Sequence, residues 1–517
     1  MEAASPPLSN AFRVVATLTF CAVWAFYSWL GVSNPYVGFV ADDAVYLLMA
    51  DLYSPLHHVI GAVYTHIRDY SHLPPFFPLI ISLAGGGTTH LLPARVVVAT
   101  AMAVANGLFG WWLLRRTASP WHALSLALIV GLLPGTLLLV VDALSEGLYL
   151  ALCWLVFLSA ERAAIRPRWP MLLALGVVVG CAVGTRTVGI ALLPALAVLA
   201  HPLGGRRSAL VVIGFASLTL PLARLSTGNA APSYLQIALN QYRAAPFAAL
   251  SHQLGDALTA LHRALPYGLF QWREISAPWQ FISLLLLLGL MVAGLLDLIR
   301  RHQPLGYYVV TYLGIVLLWP FANSMERFFV PLAGPLLYLA YHAAAKIHAR
   351  AGTAFIALLG LLLLPAWMHT VQALAAPPND PKLSGFRTTR YWIDLTRRAS
   401  AEQQIKQLGA LHDYLPRLAE VVPADACVFT QYPQITMLRA KRTAWVIPPP
   451  ADLLKPAPWA CSYVHALADT GDGEPPFYPL NVVGRRAVII DSLSVRAGDQ
   501  HPSRGVIGML LRDRMAP

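Results

Sequence analysis

Long apolar stretches separated by short polar turns fill the first two-thirds of the chain, and the pattern turns abruptly polar after residue 373. A membrane span needs about 20 apolar residues, whereas runs of roughly 10–14 more often lie in the interface or re-enter. On that rule the chain predicts spans near 11–32, 92–114, 121–140, 143–160, 170–184, 187–200, 208–225, 279–299, 305–322, 327–346 and 352–372. Composition agrees. Of 517 residues 57% are hydrophobic and 12% charged, with a mean hydropathy of +0.57. An ordinary soluble domain carries roughly 25% charged residues. A disordered chain, a secreted disulfide scaffold and a soluble enzyme are thereby excluded.

The net charge of +12 would suggest nucleic acid in a soluble protein. Here its location argues otherwise, because Lys and Arg concentrate in cytoplasmic loops of membrane proteins. Arg115–Arg116, Arg162–Arg166–Arg168, Arg206–Arg207, Arg300–Arg301 and Lys346–Arg350 all stand at span ends. If each faces the cytoplasm, Asp42, Asp43, Asp142, Glu146 and Glu326 all fall on the other side. That assignment predicts eleven crossings, with the N-terminus cytoplasmic and the C-terminus outside. The first run reads as a retained span, since only Arg13 marks its n-region and no A-x-A site follows. The apolar run Pro75–Ala84 is too short to cross without upsetting the charge pattern, so it is read as a helix on the outer surface. The stretch 170–200 is read as two short crossings that turn near Thr185-Arg186-Thr187.

Two domains follow: a transmembrane module over 1–372, with outer loops 33–91 and 226–278, and an outer domain over 373–517. In the latter a helical pattern over Gln403–Leu418 precedes apolar strand patterns at Cys427–Phe429, Ala444–Ile447, Ser462–Val464 and Ala487–Ile490. A small α/β fold is expected. Cys427 and Cys461 both lie in this domain, where oxidation is possible; each precedes a strand, so two buried thiols are the simpler expectation and a disulfide the alternative. Cys21, Cys153 and Cys181 sit in apolar runs and read as small buried hydrophobes.

Chemistry-bearing residues cluster at the predicted outer rim. Asp42 and Asp43 follow the first span and open an amphipathic run that carries Tyr46. Asp142 and Glu146 bracket a turn, either sharing one helix face at i, i+4 or capping a helix N-terminus with Ser145. Arg186 lies within the membrane, where arginine costs about 2.5–3.5 kcal/mol on insertion scales and faces a partner or a wet cavity. A pair with Glu146 is its bland alternative. Glu326-Arg327 opens another outer turn, and an arginine there suits a phosphate oxygen. The spacing Gly176-x-x-x-Gly180-x-x-x-Gly184 reads as helix packing and not as a phosphate loop. His57, His58, His66 and His72 occupy the first loop without a tight ligand motif. No cofactor is therefore called for, dependence on a divalent metal stays open, and His57 and His58 are candidates only for substrate contacts.

In motif order, the acidic pair after the first span, PPFFP, the arginine-ended span, SE, TRTVG and ERFFVPLAGP resemble the GT-C glycosyltransferases. The branches in question are the protein O-mannosyltransferase-like, aminoarabinose-transferase-like and galacturonosyltransferase-like ones. The resemblance spans residues 11 to about 345. It implies a polytopic enzyme of the bacterial inner membrane that takes sugar from a polyprenyl-phosphate carrier on the outer face. Its partners are then membrane lipids, the lipid-linked donor and an acceptor glycan, lipid or protein, with no nucleic acid. The first acid of the loop pair acts as base in that family, which maps onto Asp42. Asp43 stands where a glutamate is commoner, so which of the two is catalytic stays open. Arg327 maps to the arginine expected near the carrier phosphate.

Elementary chemistry points the same way. No nucleotide sugar is available outside the cytoplasm, so the donor must cross with its lipid. Its phosphate leaving group wants cations, which Arg186 and Arg327 supply, with Glu146 and Asp142 as supporting acids, Asp42 or Asp43 as base, and Tyr46 and Glu326 as substrate contacts. The rival class is a transporter or flippase built on the short broken helices of 170–200.

Overall fold

The computed structural model describes residues 9–33, 42–56, 61–70, 73–117, 119–200, 205–226, 246–263, 277–318, 325–375, 414–430, 432–448, 460–469, 487–496 and 505–513, together with a few single positions between them. Among the described residues six helices are long and apolar enough to cross a membrane: Asn10–Ser33, Leu91–Leu113, Glu146–Ile165, Arg207–Leu225, Phe281–Arg300 and Arg327–Ile347. Shorter apolar helices at Trp169–Thr185, Thr187–Val198, Pro304–Leu317 and Arg350–Pro365 fall on other predicted spans. The chain is an integral membrane protein.

One predicted span is bent. Over residues 121–140 the helices Pro120–Gly131 and Pro134–Val141, which are together long and apolar enough to cross, meet at a 55° bend. Pro134 opens the second helix, where its missing N–H costs nothing, and it cannot continue the first. The freed carbonyls are satisfied from elsewhere. Tyr27 donates to the Gly131 carbonyl at 2.6 Å, Thr136 to that of Val130 at 2.8 Å, and Trp367 to that of Leu132 at 2.9 Å. Hydrocarbon supplies no such donors, so the protein must.

The glycine series packs as its spacing predicts. A Cβ on Gly176 would stand 2.1 Å from the Val211 carbonyl, and one on Gly214 would stand 2.2 Å from that of Leu173. Helices Trp169–Thr185 and Gly205–Ser226 thus touch backbone to backbone.

Between the first two spans lie three helices, α1 (Asp42–Leu52), α2 (Ala62–Tyr70) and α3 (Phe76–Leu83). The first and third were legible as an amphipathic run and a short apolar run, and the second was not. Their apolar faces form one cluster that includes Leu47, Leu48, Val63, Ile67, Phe77 and Ile81. Met437, Leu438 and Ala444 of the C-terminal domain join the same cluster.

That domain carries a five-stranded mixed sheet in the order β2-β1-β3-β5-β4, with β1 (Cys427–Thr430), β2 (Thr443–Val446), β3 (Tyr463–Asp469), β4 (Ala487–Arg496) and β5 (Gly505–Asp513). The strand β1 runs parallel to β2 and β3, whereas β5 runs antiparallel to β3 and β4. The helix Pro433–Ala440 makes the β1–β2 crossover that a parallel pair requires. Strand β5 was not foreseen, because Gly508 splits its apolar run into two short pieces. Of the expected helix over Gln403–Leu418, residues from 414 onward are described and are helical. The thiol expectation is corrected: Cys427 and Cys461 are joined in a disulfide. The last membrane helix ends at Ala375, three residues past the expected boundary.

Candidate active site

Four of the charged residues singled out at the rim meet. Glu146 opens its helix fully buried, and one carboxylate oxygen receives both guanidiniums, Arg186 Nη1 at 2.6 Å and Arg327 Nε at 2.8 Å. Arg327 also pairs with Asp42 through Nη2. Exposure grades from floor to mouth: the side chain of Glu146 is 0% exposed, Arg186 8%, Arg327 12% and Asp42 32%. A carboxylate lies at each end of the cluster, with the cations between them.

Local sequence explains each position. The helix Trp169–Thr185 ends at Arg186, whose extended backbone leads into the 3-10 turn Thr187–Ala191; the turn lets one arginine project where two short helices join. Arg327 sits in the single-turn helix Met325–Phe329, which Pro331 deflects into the next helix. Tyr312 fixes that turn by donating to the Phe328 carbonyl at 2.9 Å. The Phe328 ring lies 5.2 Å from the Arg186 guanidinium and 5.7 Å from that of Arg327, and gives both an aromatic neighbour.

Asp42 and Asp43 part company. Asp42 opens α1 and faces Arg327, while Asp43 is buried with its carboxylate on the Ala44 amide at 2.8 Å. Successive helical residues point about 100° apart, so only one of an adjacent pair can face the cluster. Tyr46, one turn on from Asp42, reaches the same group indirectly: its hydroxyl meets Ser145 Oγ at 3.0 Å, and Arg186 donates to that Oγ at 3.3 Å. Burial, then the nearby Asp42 charge, push the Tyr46 phenol up to about 12, so it stays protonated.

Several expectations are corrected. Asp142 does not share a helix face with Glu146, because the helix begins at Glu146 and Asp142 ends the preceding one. It lies within electrostatic reach of Arg95 instead. Ser145 makes no side-chain cap; its hydroxyl serves Tyr46 and Arg186. The bland pairing of Arg186 with Glu146 is present, so the arginine is held by an internal acid whatever else it does. His57 and His58 lie outside the described residues, as does the side chain of Glu326. Among the described residues no group of three or more His, Cys, Asp or Glu side chains is placed to hold a metal ion. Sequence reasoning missed Ser145 as a bridge, Tyr312 as an anchor and Phe328 as a shared wall; the aromatic after Arg327 was the one readable signal.

A bundle of apolar helices whose rim gathers acids and arginines, with a small mixed-sheet domain beside them, is an integral membrane fold shared with a solved structure. The particular likeness is to ArnT from Cupriavidus metallidurans. The structure of that protein bound to undecaprenyl phosphate matches with a TM-score of 0.51 and 14% identity, over 97% of this chain and 98% of that one. The apo state of the same protein matches with a TM-score of 0.52, also at 14% identity and the same coverage. No family model matches the chain, and no curated protein matches it by sequence.

Proposed function

We propose that the protein is a membrane glycosyltransferase that moves a sugar from a polyprenyl-phosphate carrier to an acceptor hydroxyl on the extracytoplasmic face of a bacterial inner membrane. One observation carries the reading: a half-buried carboxylate and two guanidiniums deeper in the protein share one cluster, as suits a base and a phosphate site. The fold it shares with ArnT, one structure of which is bound to undecaprenyl phosphate, supports the carrier.

The residues divide the work. Arg327, with Arg186 behind it, takes the phosphate oxygens of the donor and stabilises the charge that grows as the glycosidic C–O bond breaks. In the resting protein Arg327 holds Asp42. An arriving phosphate competes for that guanidinium and frees Asp42 to accept the proton of the acceptor hydroxyl. The acceptor oxygen attacks the anomeric carbon from the side opposite the phosphate, the proton passes to Asp42, and polyprenyl phosphate departs. A single displacement inverts the anomeric centre. Glu146 keeps both guanidiniums aligned, and its buried charge is the counter-ion without which two arginines would not stay at that depth.

The test uses purified protein and a radiolabelled polyprenyl-phosphate sugar. Asp42→Asn is expected to abolish transfer while donor binding persists, and Asp43→Asn to leave measurable transfer. Arg327→Ala is expected to weaken use of the donor. Near-normal turnover in Asp42→Asn removes it as the base. Movement of the intact donor across vesicles without bond breakage would replace the transferase reading with that of a flippase.

A further inference from the structure

Asp51 closes the last turns of α1, the helix that Asp42 opens. Its carboxylate is 3% exposed and is held from several directions. Thr88 donates its amide at 3.0 Å and also its hydroxyl, and the Tyr64 hydroxyl donates at 3.1 Å. The loop comes this close because residue 87 is glycine: a Cβ there would stand 1.9 Å from Asp51 Oδ1.

Into this group the C-terminal domain sends Lys441. Its Nζ donates to the Thr88 hydroxyl at 2.5 Å and to the Tyr64 hydroxyl at 3.4 Å, and lies 3.8 Å from Asp51 Oδ2. Thr88 and Tyr64 each use their hydroxyl hydrogen to donate to Asp51, so each oxygen still has a lone pair to accept from the ammonium. The Lys441 backbone is left-handed, at φ 51° and ψ 37°, a conformation uncommon for a residue with a side chain. It ends the helix Pro433–Ala440. Around the charge the contact is apolar, through Met437, Leu438 and Ala444, with the Trp445 ring edge-on to His66 at 4.5 Å.

We propose that Lys441 is a positioning residue. It fixes the far end of the helix that carries Asp42, and so makes the C-terminal domain a working part of the site. Nine residues of one rigid helix separate Asp51 from Asp42, roughly 13 Å at 1.5 Å per residue. A tilt imposed at one end is therefore delivered to the other. An apolar patch alone would hold the domain near; the ammonium among Asp51, Thr88 and Tyr64 fixes how it is oriented.

The proposal rests on Asp42 as the base, and the experiment separates the two. Full-length Lys441→Met and Lys441→Arg are followed by amide hydrogen exchange and by transfer kinetics at one pH. In Lys441→Met, exchange over 42–52 is expected to accelerate about tenfold while protection over 91–113 holds. There kcat falls about tenfold and KM for the polyprenyl-phosphate sugar stays within about twofold, as for lost alignment without lost binding. Lys441→Arg restores most of both, and Asp51→Asn, which keeps the shape without the charge, repeats the defect. Unchanged exchange in both Lys441→Met and Asp51→Asn overturns the proposal, as does faster exchange with an unchanged kcat. Absence of transfer in the unsubstituted protein would instead overturn the reading of Asp42, because the exchange measurement needs no substrate.

Discussion

The bundle carries one charged cluster at each end of the helix Glu146–Ile165, and they behave oppositely. Glu146 and Glu161 are 15 residues apart on that helix, or roughly 22 Å. At the Glu161 end, Arg115 and Arg116 pair with Glu161, while Asp297 receives Arg301, His342 and Lys346. None of those groups is fully buried: Glu161 and Asp297 are each 19% exposed, and the cations run from Arg116 at 18% to Arg301 at 56%. Ion pairs in such surroundings are worth about 0–1 kcal/mol each and need no purpose beyond solubility and orientation. At the Glu146 end the shared carboxylate is 0% exposed and its two arginines 8% and 12%, and taking such charges out of water costs several kcal/mol per ion. A chain that needed only stability would place apolar side chains there. The same residue types thus mean different things at the two ends, and burial tells them apart.

The sharpest way to break that contrast is Glu146→Gln. Two buried guanidiniums would lose their shared counter-ion, and a loss of about 3–5 kcal/mol in unfolding free energy is expected, with transfer below detection. Thermal unfolding in detergent checks it, and a loss under 1 kcal/mol would place the cluster with the pairs at the Glu161 end. The double variant Glu146→Gln with Arg186→Met comes next: stability should recover by about 1–3 kcal/mol without recovery of transfer. Recovery of both would mean that Arg186 has no part in the chemistry. Asp297→Asn at the Glu161 end should cost under about 2 kcal/mol and leave kcat and KM within about twofold. A large kinetic effect there would erase the distinction.

The smallest expected effect concerns pH. Burial of the Lys441 amine, only partly offset by Asp51, lowers its pKa from 10.5 to about 8, while Tyr64 is raised by burial and the same carboxylate and stays neutral. Asp51 and Tyr64 are the titratable groups that face this amine; Arg442, its neighbour, turns to the Val422 and Ala419 carbonyls. Between pH 8 and 10.5 the released domain binds more protons than the docked one, so docking strengthens as pH rises through that window and gains nothing below it. Exchange over 42–52, corrected for intrinsic rate, should slow from pH 7 to pH 9 and lose that trend in Lys441→Arg. Faster corrected exchange at pH 9 would reverse the sign.

What could be read in the chain was whatever repeats or stands out locally. Hydropathy marked the helices because each must be apolar over its own length. Asp42, Glu146, Arg186 and Arg327 were visible because charge near the membrane is rare, so their company was informative before any contact was known. Apart from the Arg186–Glu146 pair, named as an alternative and present at 2.6 Å, partners were not visible. Asp42 and Arg327 are 285 residues apart, and Lys441 and Thr88 are 353 apart; no periodicity spans such distances. Lys441 also sits in a polar stretch with Arg439 and Arg442, where a lysine is unremarked. The break before Pro134 was hidden because both halves are equally apolar, and strand β5 because Gly508 cuts its apolar run short. Asp43 was indistinguishable from Asp42 until the start of the helix was known.

The bent span repays a final look. Three carbonyls left over by the break are tied by donors that come from Tyr27 on the first helix, from Trp367 on the last, and from Thr136 within. Straightening or flexing it would strip those oxygens in a medium where each bare one costs on the order of several kcal/mol. The elbow is therefore a brace and not a hinge. It staples the first and last of the described membrane helices to one corner, and any motion of the bundle must pivot somewhere else.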